Sequence, residues 1–140
     1  MRAETAPRKK TGKVLITAGP TVEYLDPVRY ISNRSTGVMG YSIAREFLSA
    51  GYEVCLITGP VGIRTPMGAE VVNVTTAREM LRELKKRIRD ARCIVMAAAV
   101  CDFRPEAVSK EKIKKDRAAA IKVVKNPDIL KELGRSRGLV

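Results

Sequence analysis

The chain has 140 residues, of which 45% are hydrophobic, and it carries 27 lysines and arginines against 15 aspartates and glutamates. This length supports one domain with a hydrophobic core, and the net charge of +12 predicts anionic partners such as nucleotide phosphates, phosphorylated metabolites or nucleic acid. Because the chain has no histidine, serine–histidine–aspartate triads, cysteine–histidine pairs and histidine-ligated zinc sites are excluded.

The three cysteines, Cys55, Cys93 and Cys101, have no spacing typical of a metal site, which predicts a reduced, cytoplasmic protein. No apolar stretch is long enough to span a bilayer, so no membrane partner is expected. Residues 1–12 are basic and lack a hydrophobic signal core. They predict a flexible leader ahead of a domain that occupies residues 13–140.

Apolar runs and helical patterns alternate along the chain after the leader. Strands are predicted at residues 13–18, 53–58, 70–74, 93–100 and 121–124. Helices are predicted from about residue 37 to 50, from a capping box at Thr76 to about residue 91, and from a cap at Asn126 to about Gly134. This order predicts an α/β fold, a Rossmann-like three-layer domain with a mainly parallel sheet and right-handed crossovers.

Two long connections leave the carboxyl ends of predicted strands. The first loop, residues 19–36, is much longer than a usual strand–helix connection, which favours a function for it. The second loop, residues 101–115, follows the most apolar strand of the chain. Since ligands of α/β sheets bind beyond the carboxyl ends of the strands, we expect the two loops to form one site.

Residue types in the first loop suit a phosphorylated ligand. The loop offers backbone N–H groups around Gly19, a hydroxyl at Ser35, and Gly37 at the start of a helix. Asn33 can donate and accept hydrogen bonds, so it suits either a bound carbonyl or acyl phosphate or an ordinary turn. The glycine spacing matches neither a P-loop nor the dinucleotide-binding fingerprint.

The second loop offers a carboxylate and a run of lysines. Asp102 could bind a metal ion, or the sugar or base edge of a nucleotide, or it could simply cap a turn. Lys112 and the neighbouring lysines could bind a triphosphate, or they could simply be solvated.

The helix after Thr76 has a basic face formed by Arg82, Lys85, Lys86, Arg87, Arg89 and Arg92. This face raises a nucleic-acid-binding alternative, but a solvated exterior is the commoner meaning because no aromatic residues interleave for stacking.

Four motifs then occur in a characteristic order. They are VLITAGPTVEYLDPVRYISNRSTGVMG at residues 14–40, AAAVCDFRP at 97–105, EKIKK at 111–115 and KNPDIL at 125–130. Together they resemble phosphopantothenoylcysteine synthetase, the carboxy-terminal half of a bifunctional coenzyme A biosynthesis flavoprotein. The resemblance covers residues 13–140 almost without gaps.

The resemblance implies a ligase that joins 4'-phosphopantothenate to cysteine in two steps. The phosphopantothenate carboxylate attacks the α-phosphorus of CTP, or of ATP in eukaryotic relatives, and the cysteine amine then displaces the nucleotide. Mg²⁺ is implied as the companion of the nucleoside triphosphate, with no protein ligand to the metal assigned. A homodimer, and fusion to or association with a flavin-dependent decarboxylase, are implied as well.

Position by position, Asn33 resembles the family's asparagine that holds the acyl-nucleotidylate, and Lys112 resembles the lysine needed for activation. The implied nucleotide-binding residues are Gly19, Ser35, Gly37, Ala97, Ala98, Ala99, Asp102 and Lys112. The family continues beyond this chain with a base-binding strand and a basic flap, so we expect the carboxy-terminal part of the domain to be missing. A non-catalytic nucleotide-binding remnant is therefore a further alternative.

Overall fold

The computed structural model describes residues 12–115 and 120–137, so the predicted leader lies outside it except for Gly12. In chain order, the elements of this part are β1 (Lys13–Ala18), β2 (Val22–Tyr24), β3 (Tyr30–Ser32), α1 (Val38–Ser49), β4 (Glu53–Thr58), β5 (Glu70–Asn73), α2 (Ala77–Arg87), β6 (Ala91–Met96), β7 (Phe103–Pro105), β8 (Val123–Lys125) and α3 (Ile129–Arg137). Strands β5, β4, β1 and β6 form one parallel sheet in that order, which confirms the predicted α/β class. Among the described residues, no helix is long and apolar enough to cross a membrane.

Helices cover both faces of the parallel sheet. Alternate side chains of a strand point to opposite faces, so β1 contributes Val14 and Ile16 to one core and Leu15 to the other. The first core includes Tyr41 of α1, and the second includes Leu84 of α2 together with residues of α3. These two cores confirm the three-layer arrangement, and they explain why β1 is apolar along its whole length.

The amino terminus of α2 is held by the predicted capping box. Thr76 Oγ1 accepts a hydrogen bond from the Glu79 N–H at 3.2 Å, and Glu79 Oε2 accepts from the Thr75 and Thr76 N–H groups at 2.7 and 3.2 Å. The buried carboxylate of Glu23 accepts a further bond from the Ala77 N–H at 3.0 Å. Because Glu23 belongs to β2, this bond ties the first loop to α2.

Both long loops are more ordered than the sequence indicates. Within the first loop, β2 and β3 pair as an antiparallel hairpin that was not predicted. The strand predicted at residues 121–124 is observed at Val123–Lys125, where it pairs antiparallel with β7 outside the parallel sheet. Strands of three residues leave too short a pattern for periodicity to reveal them. The strand predicted at residues 93–100 ends at Met96, and the chain beyond it belongs to the site.

The start of α3 also differs from the prediction. Asp128, rather than Asn126, caps the helix, because Asp128 Oδ1 accepts a hydrogen bond from the Lys131 N–H at 3.0 Å. Asn126 Nδ2 instead donates to Cys101 O at 2.8 Å and to Glu23 Oε1 at 3.0 Å. The predicted cap therefore joins the start of the second loop to the hairpin of the first.

Candidate functional site

The two long loops meet where β1 and β6 end. The Ala99 N–H donates to Gly19 O at 2.9 Å, and the Thr21 N–H donates to Ala99 O at 3.1 Å, so the chain after β6 continues alongside the chain after β1. The Ala98 N–H donates to Thr17 Oγ1 at 3.2 Å. The predicted meeting of the loops at the carboxyl edge of the sheet is therefore observed.

Asn33 joins the first loop to the chain after β6 at this junction. Its Nδ2 donates to Ala99 O and to Val100 O, both at 3.1 Å. Two carbonyl oxygens can accept only from the NH₂ end of the amide, so the orientation of the side chain is settled by its partners. Asn33 Oδ1 accepts no hydrogen bond within the described residues and is available to accept one from a ligand.

Gly19 and Gly37 bring the start of α1 close to the end of β1. Their φ angles are +70° and +78°, a left-handed conformation that favours glycine, and a Cβ at Gly37 would lie 3.3 Å from Gly19 N. Ser35 Oγ accepts from the Gly37 N–H at 3.3 Å, but α1 has no side-chain cap and no acidic residue in its first turn. The N–H groups in the first turn of α1 have no acceptor within the helix and no side-chain cap. They are therefore suited to bind an anion.

Lys112 belongs to the second loop and lines a cavity of its own. The cavity has a volume of about 340 Å³ and is lined by Arg29, Lys112, Ile113, Lys114 and Lys115. No hydrogen bond among the described residues joins the Lys112 side chain to Asn33 or to the two glycines. Hydrogen bonds thus join Asn33 and the chain after β1 to the chain after β6. Lys112 is tied to this junction through its neighbour Ile113, which bonds to the first loop.

The connection is a buried carboxylate. Asp26 Oδ2 accepts a hydrogen bond from the Ile113 N–H at 3.1 Å and two from the guanidinium of Arg29, whose Nη2 also donates to Ile113 O at 2.7 Å. Burial opposes the charged form of Asp26, but the hydrogen bonds from Arg29 and from nearby backbone N–H groups outweigh it and hold the pKa of this carboxyl well below its usual range. Neither Asp26 nor Arg29 was among the predicted site residues, although their Asp-Pro-Val-Arg turn is a recognisable signal.

Asp102 stands at the start of the second loop. It is exposed, and its side chain makes no hydrogen bond within the described residues, whereas the preceding Cys101 is buried. The Cys101 N–H donates to Thr21 Oγ1 at 2.8 Å, and its thiol donates to Thr21 O at 3.3 Å. Burial raises the pKa of this thiol, so Cys101 anchors the loop as a neutral group while Asp102 faces outward.

The basic face predicted for α2 is smaller than the sequence indicates. Lys86 and Arg87 both form ion pairs with Glu83 of the same helix, and Lys85 pairs with an acidic side chain of α3 at 2.8 Å. The predicted face also included Arg89 and Arg92, which is wrong, because α2 ends at Arg87 and is followed by a short 3-10 turn at Ile88–Asp90, and Arg92 lies in β6. The ion pairs reduce the net charge that the face offers to a polyanion.

The chain is similar to known proteins in sequence and in fold. Residues 9–139 match the family model described as DNA/pantothenate metabolism flavoprotein C-terminal domain. The Coenzyme A biosynthesis bifunctional protein CoaBC of Vibrio parahaemolyticus is 45% identical over 128 residues, which are 89% of this chain and 32% of that protein. The chain spans about a third of the length of the curated relatives it matches.

Two solved structures share the fold. The crystal structure of the C-terminal domain of Coenzyme A biosynthesis bifunctional protein CoaBC is 37% identical, with a TM-score of 0.78 over 89% of this chain and 58% of that chain. The DNA/pantothenate metabolism flavoprotein from Streptococcus pneumoniae is 27% identical, with a TM-score of 0.79 over 93% of this chain and 67% of that chain. These matches confirm the resemblance carried by the four motifs. The chain belongs to the family of the DNA/pantothenate metabolism flavoprotein C-terminal domains.

Proposed function

We propose that this chain is part of a ligase that joins 4'-phosphopantothenate to cysteine in coenzyme A biosynthesis. The phosphopantothenate carboxylate attacks the α-phosphorus of CTP or ATP, pyrophosphate leaves, and an acyl-nucleotidylate remains. The cysteine amine then attacks the acyl carbon and loses a proton, and the nucleoside monophosphate leaves as the amide forms. Support comes from the family and from relatives named for coenzyme A biosynthesis.

The observation that carries the proposal is the hydrogen-bonded junction of Asn33 with the chain after β6. On one side of this junction, N–H groups near Gly19 and at the start of α1 would bind nucleotide phosphates. On the other side, the small side chains of Ala97–Ala99 would let the nucleotide lie close to the backbone. Asn33 would hold the acyl group between the two sides, through the amide oxygen that its protein partners leave available.

Lys112 would act in the first step. Charge develops on the oxygens of the α-phosphorus as the carboxylate attacks, and a nearby ammonium group lowers the energy of that state. Asp102, which faces outward beside the small side chains, would accept a hydrogen bond from the nucleotide.

Mg²⁺ would enter with the triphosphate rather than occupy a site made by the protein. The described residues contain no cluster of three or more histidine, cysteine or carboxylate side chains that could hold a metal ion. In nucleotide sites Mg²⁺ commonly binds substrate phosphates and water together with one or two carboxylates. When bound, the ion would offset phosphate charge, while the N–H groups and Lys112 orient the triphosphate.

A homodimer, a cytoplasmic location and association with a flavin-dependent decarboxylase belong to the same proposal. The three cysteines are free thiols, as expected for a reducing compartment. The matched relatives are named bifunctional, which supports a second activity in the same polypeptide.

The test uses the chain extended to the length of its relatives. Pyrophosphate should form from CTP or ATP only when 4'-phosphopantothenate is present, and nucleoside monophosphate should follow only after cysteine is added. Lys112→Ala should slow pyrophosphate release, whereas Lys110→Ala, which removes an exposed lysine from the same segment, should not. Absence of pyrophosphate with both nucleotides would contradict the ligase proposal. Nucleotide binding without turnover would instead support a non-catalytic remnant.

A further inference from the structure

We propose that Asp26 is a positioning residue of this site, which fixes the backbone that carries Lys112. The inference rests on the ligase function proposed above, because it assigns Asp26 a role in the step that Lys112 serves. Asp26 lies in the turn between β2 and β3 and does not line the cavity of Lys112. Its effect on the reaction would therefore pass through the second loop.

The two oxygens of the Asp26 carboxylate hold different parts of the chain. Oδ1 accepts from the N–H groups of Val28 and Arg29, both at 2.8 Å, and so closes the turn to which Asp26 itself belongs. Oδ2 accepts from the Ile113 N–H at 3.1 Å, which lies in the second loop, 87 positions along the chain. The residue is only 1% exposed, so water does not compete for these bonds.

Lys112 is held from both sides by the first loop. After it in the chain, both polar groups of Ile113 are bound, the N–H by Asp26 and the C=O by Arg29 Nη2 at 2.7 Å. Before it, the Ser109 N–H donates to Leu25 O at 2.9 Å. The lysine backbone is thus confined between two anchors, while its exposed side chain is left to reach a ligand in the cavity.

The negative charge of Asp26 is needed for the hydrogen bond that Oδ2 accepts from the second loop. It is not needed for the hydrogen bonds that Oδ1 accepts within the turn. In Asp26→Asn, the remaining carbonyl oxygen can still accept from Val28 and Arg29 within the turn. The new NH₂ group, however, would face the Ile113 N–H and the Arg29 guanidinium, and a donor cannot accept from donors. The substitution therefore keeps the size of the side chain and the shape of the turn but removes the hydrogen bond from the Ile113 N–H to Asp26.

The first measurement follows the backbone directly. In the extended chain, Asp26→Asn should speed hydrogen exchange of the Ile113 amide by about tenfold or more, because a charge-assisted bond is lost, while amides of β1 and β4 stay protected. Glu106→Gln is the matched control, since it removes an exposed carboxylate of the same loop, paired with Lys122 at 2.8 Å. The control should leave the exchange of Ile113 unchanged.

The second measurement asks whether Asp26 acts through Lys112. Asp26→Asn should lower kcat for pyrophosphate release by roughly 10- to 100-fold with a smaller change in KM, as expected for a displaced charged group. In a Lys112→Ala background the same substitution should have no further effect, whereas a merely structural role would give additive losses. If Asp26→Asn fails to fold, Ile113→Pro removes the N–H that Asp26 binds and should give the same loss of kcat, again with no further effect in the Lys112→Ala background. Because proline has no amide hydrogen, this variant is judged by the kinetics.

The outcomes separate this inference from the proposed function. Unchanged Ile113 exchange, or losses that add in the double variant, overturn the role of Asp26. An unsubstituted enzyme that releases no pyrophosphate overturns the ligase proposal, and faster Ile113 exchange in Asp26→Asn would then still support the inter-loop bond.

Discussion

Replacing Asn33 by aspartate should separate the two half-reactions proposed for this site. Asn33→Asp keeps the shape of the side chain but removes both N–H donors, which places a carboxylate oxygen against Ala99 O and Val100 O. An ionised carboxylate only accepts hydrogen bonds, so the side chain must turn away from both carbonyls. The acyl-nucleotidylate then loses the group proposed to hold it for attack by cysteine.

The size of the effect follows from the two lost bonds. Both are 3.1 Å long and lie at an exposed edge. Each is worth about 0.5–1.5 kcal/mol net, so their loss should slow the cysteine step by roughly 5- to 150-fold. In the described structure the Asn33 side chain makes no hydrogen bond to Lys112 or to the start of α1. Pyrophosphate release should therefore change by less than about threefold.

A single-turnover assay measures both steps in one sample. Enzyme, nucleotide and phosphopantothenate are mixed while pyrophosphate is followed, and cysteine is then added while nucleoside monophosphate is followed. Asn73→Asp makes the same chemical change at an exposed position at the end of β5 and should leave both rates intact. Equal slowing of the two steps, or full activity in both, would refute the role given to Asn33.

Two further predictions concern stability. An added Cβ at Gly40 would lie 2.5 Å from Ala18 Cβ, so Gly40→Ala should lower the free energy of unfolding in urea by roughly 1–2 kcal/mol, overpacking outweighing the gain in helix propensity. Gly62→Ala, whose Cβ would meet nothing within 4 Å, is the control and should change little. A hydrogen bond from Lys13 lowers the pKa of Glu70 from its ordinary value of 4.5. The ionised Glu70 side chain therefore stabilises the fold fully above that pH, and this stabilisation is lost as the pH falls through the lowered pKa. In Glu70→Gln, the free energy of unfolding should therefore fall less steeply below pH 4.5 than in the unsubstituted chain. The same pH dependence in both proteins would contradict this reasoning.

The layers of the fold could be predicted because their signals are local. The continuous apolar run of β1 indicates a strand with both faces covered, and the Thr76–Glu79 box indicates where α2 begins. Glycine, asparagine and lysine in ordered motifs also indicated which loops form the candidate site. Each of these signals lies within a short stretch of chain, where side-chain period and capping chemistry decide the outcome.

Only the tertiary structure decided which groups hold the two loops together. Asn126 matches a helix cap by sequence, but its amide joins Cys101 to Glu23, and Asp26 bonds to Ile113 from 87 positions away. The half-buried state of Cys93 likewise follows from the place of β6 at the edge of the described sheet. A buried polar side chain forms hydrogen bonds with whichever unpaired groups the fold brings close to it. Those groups belong to distant segments of the chain, so the residues beside it in sequence do not reveal them.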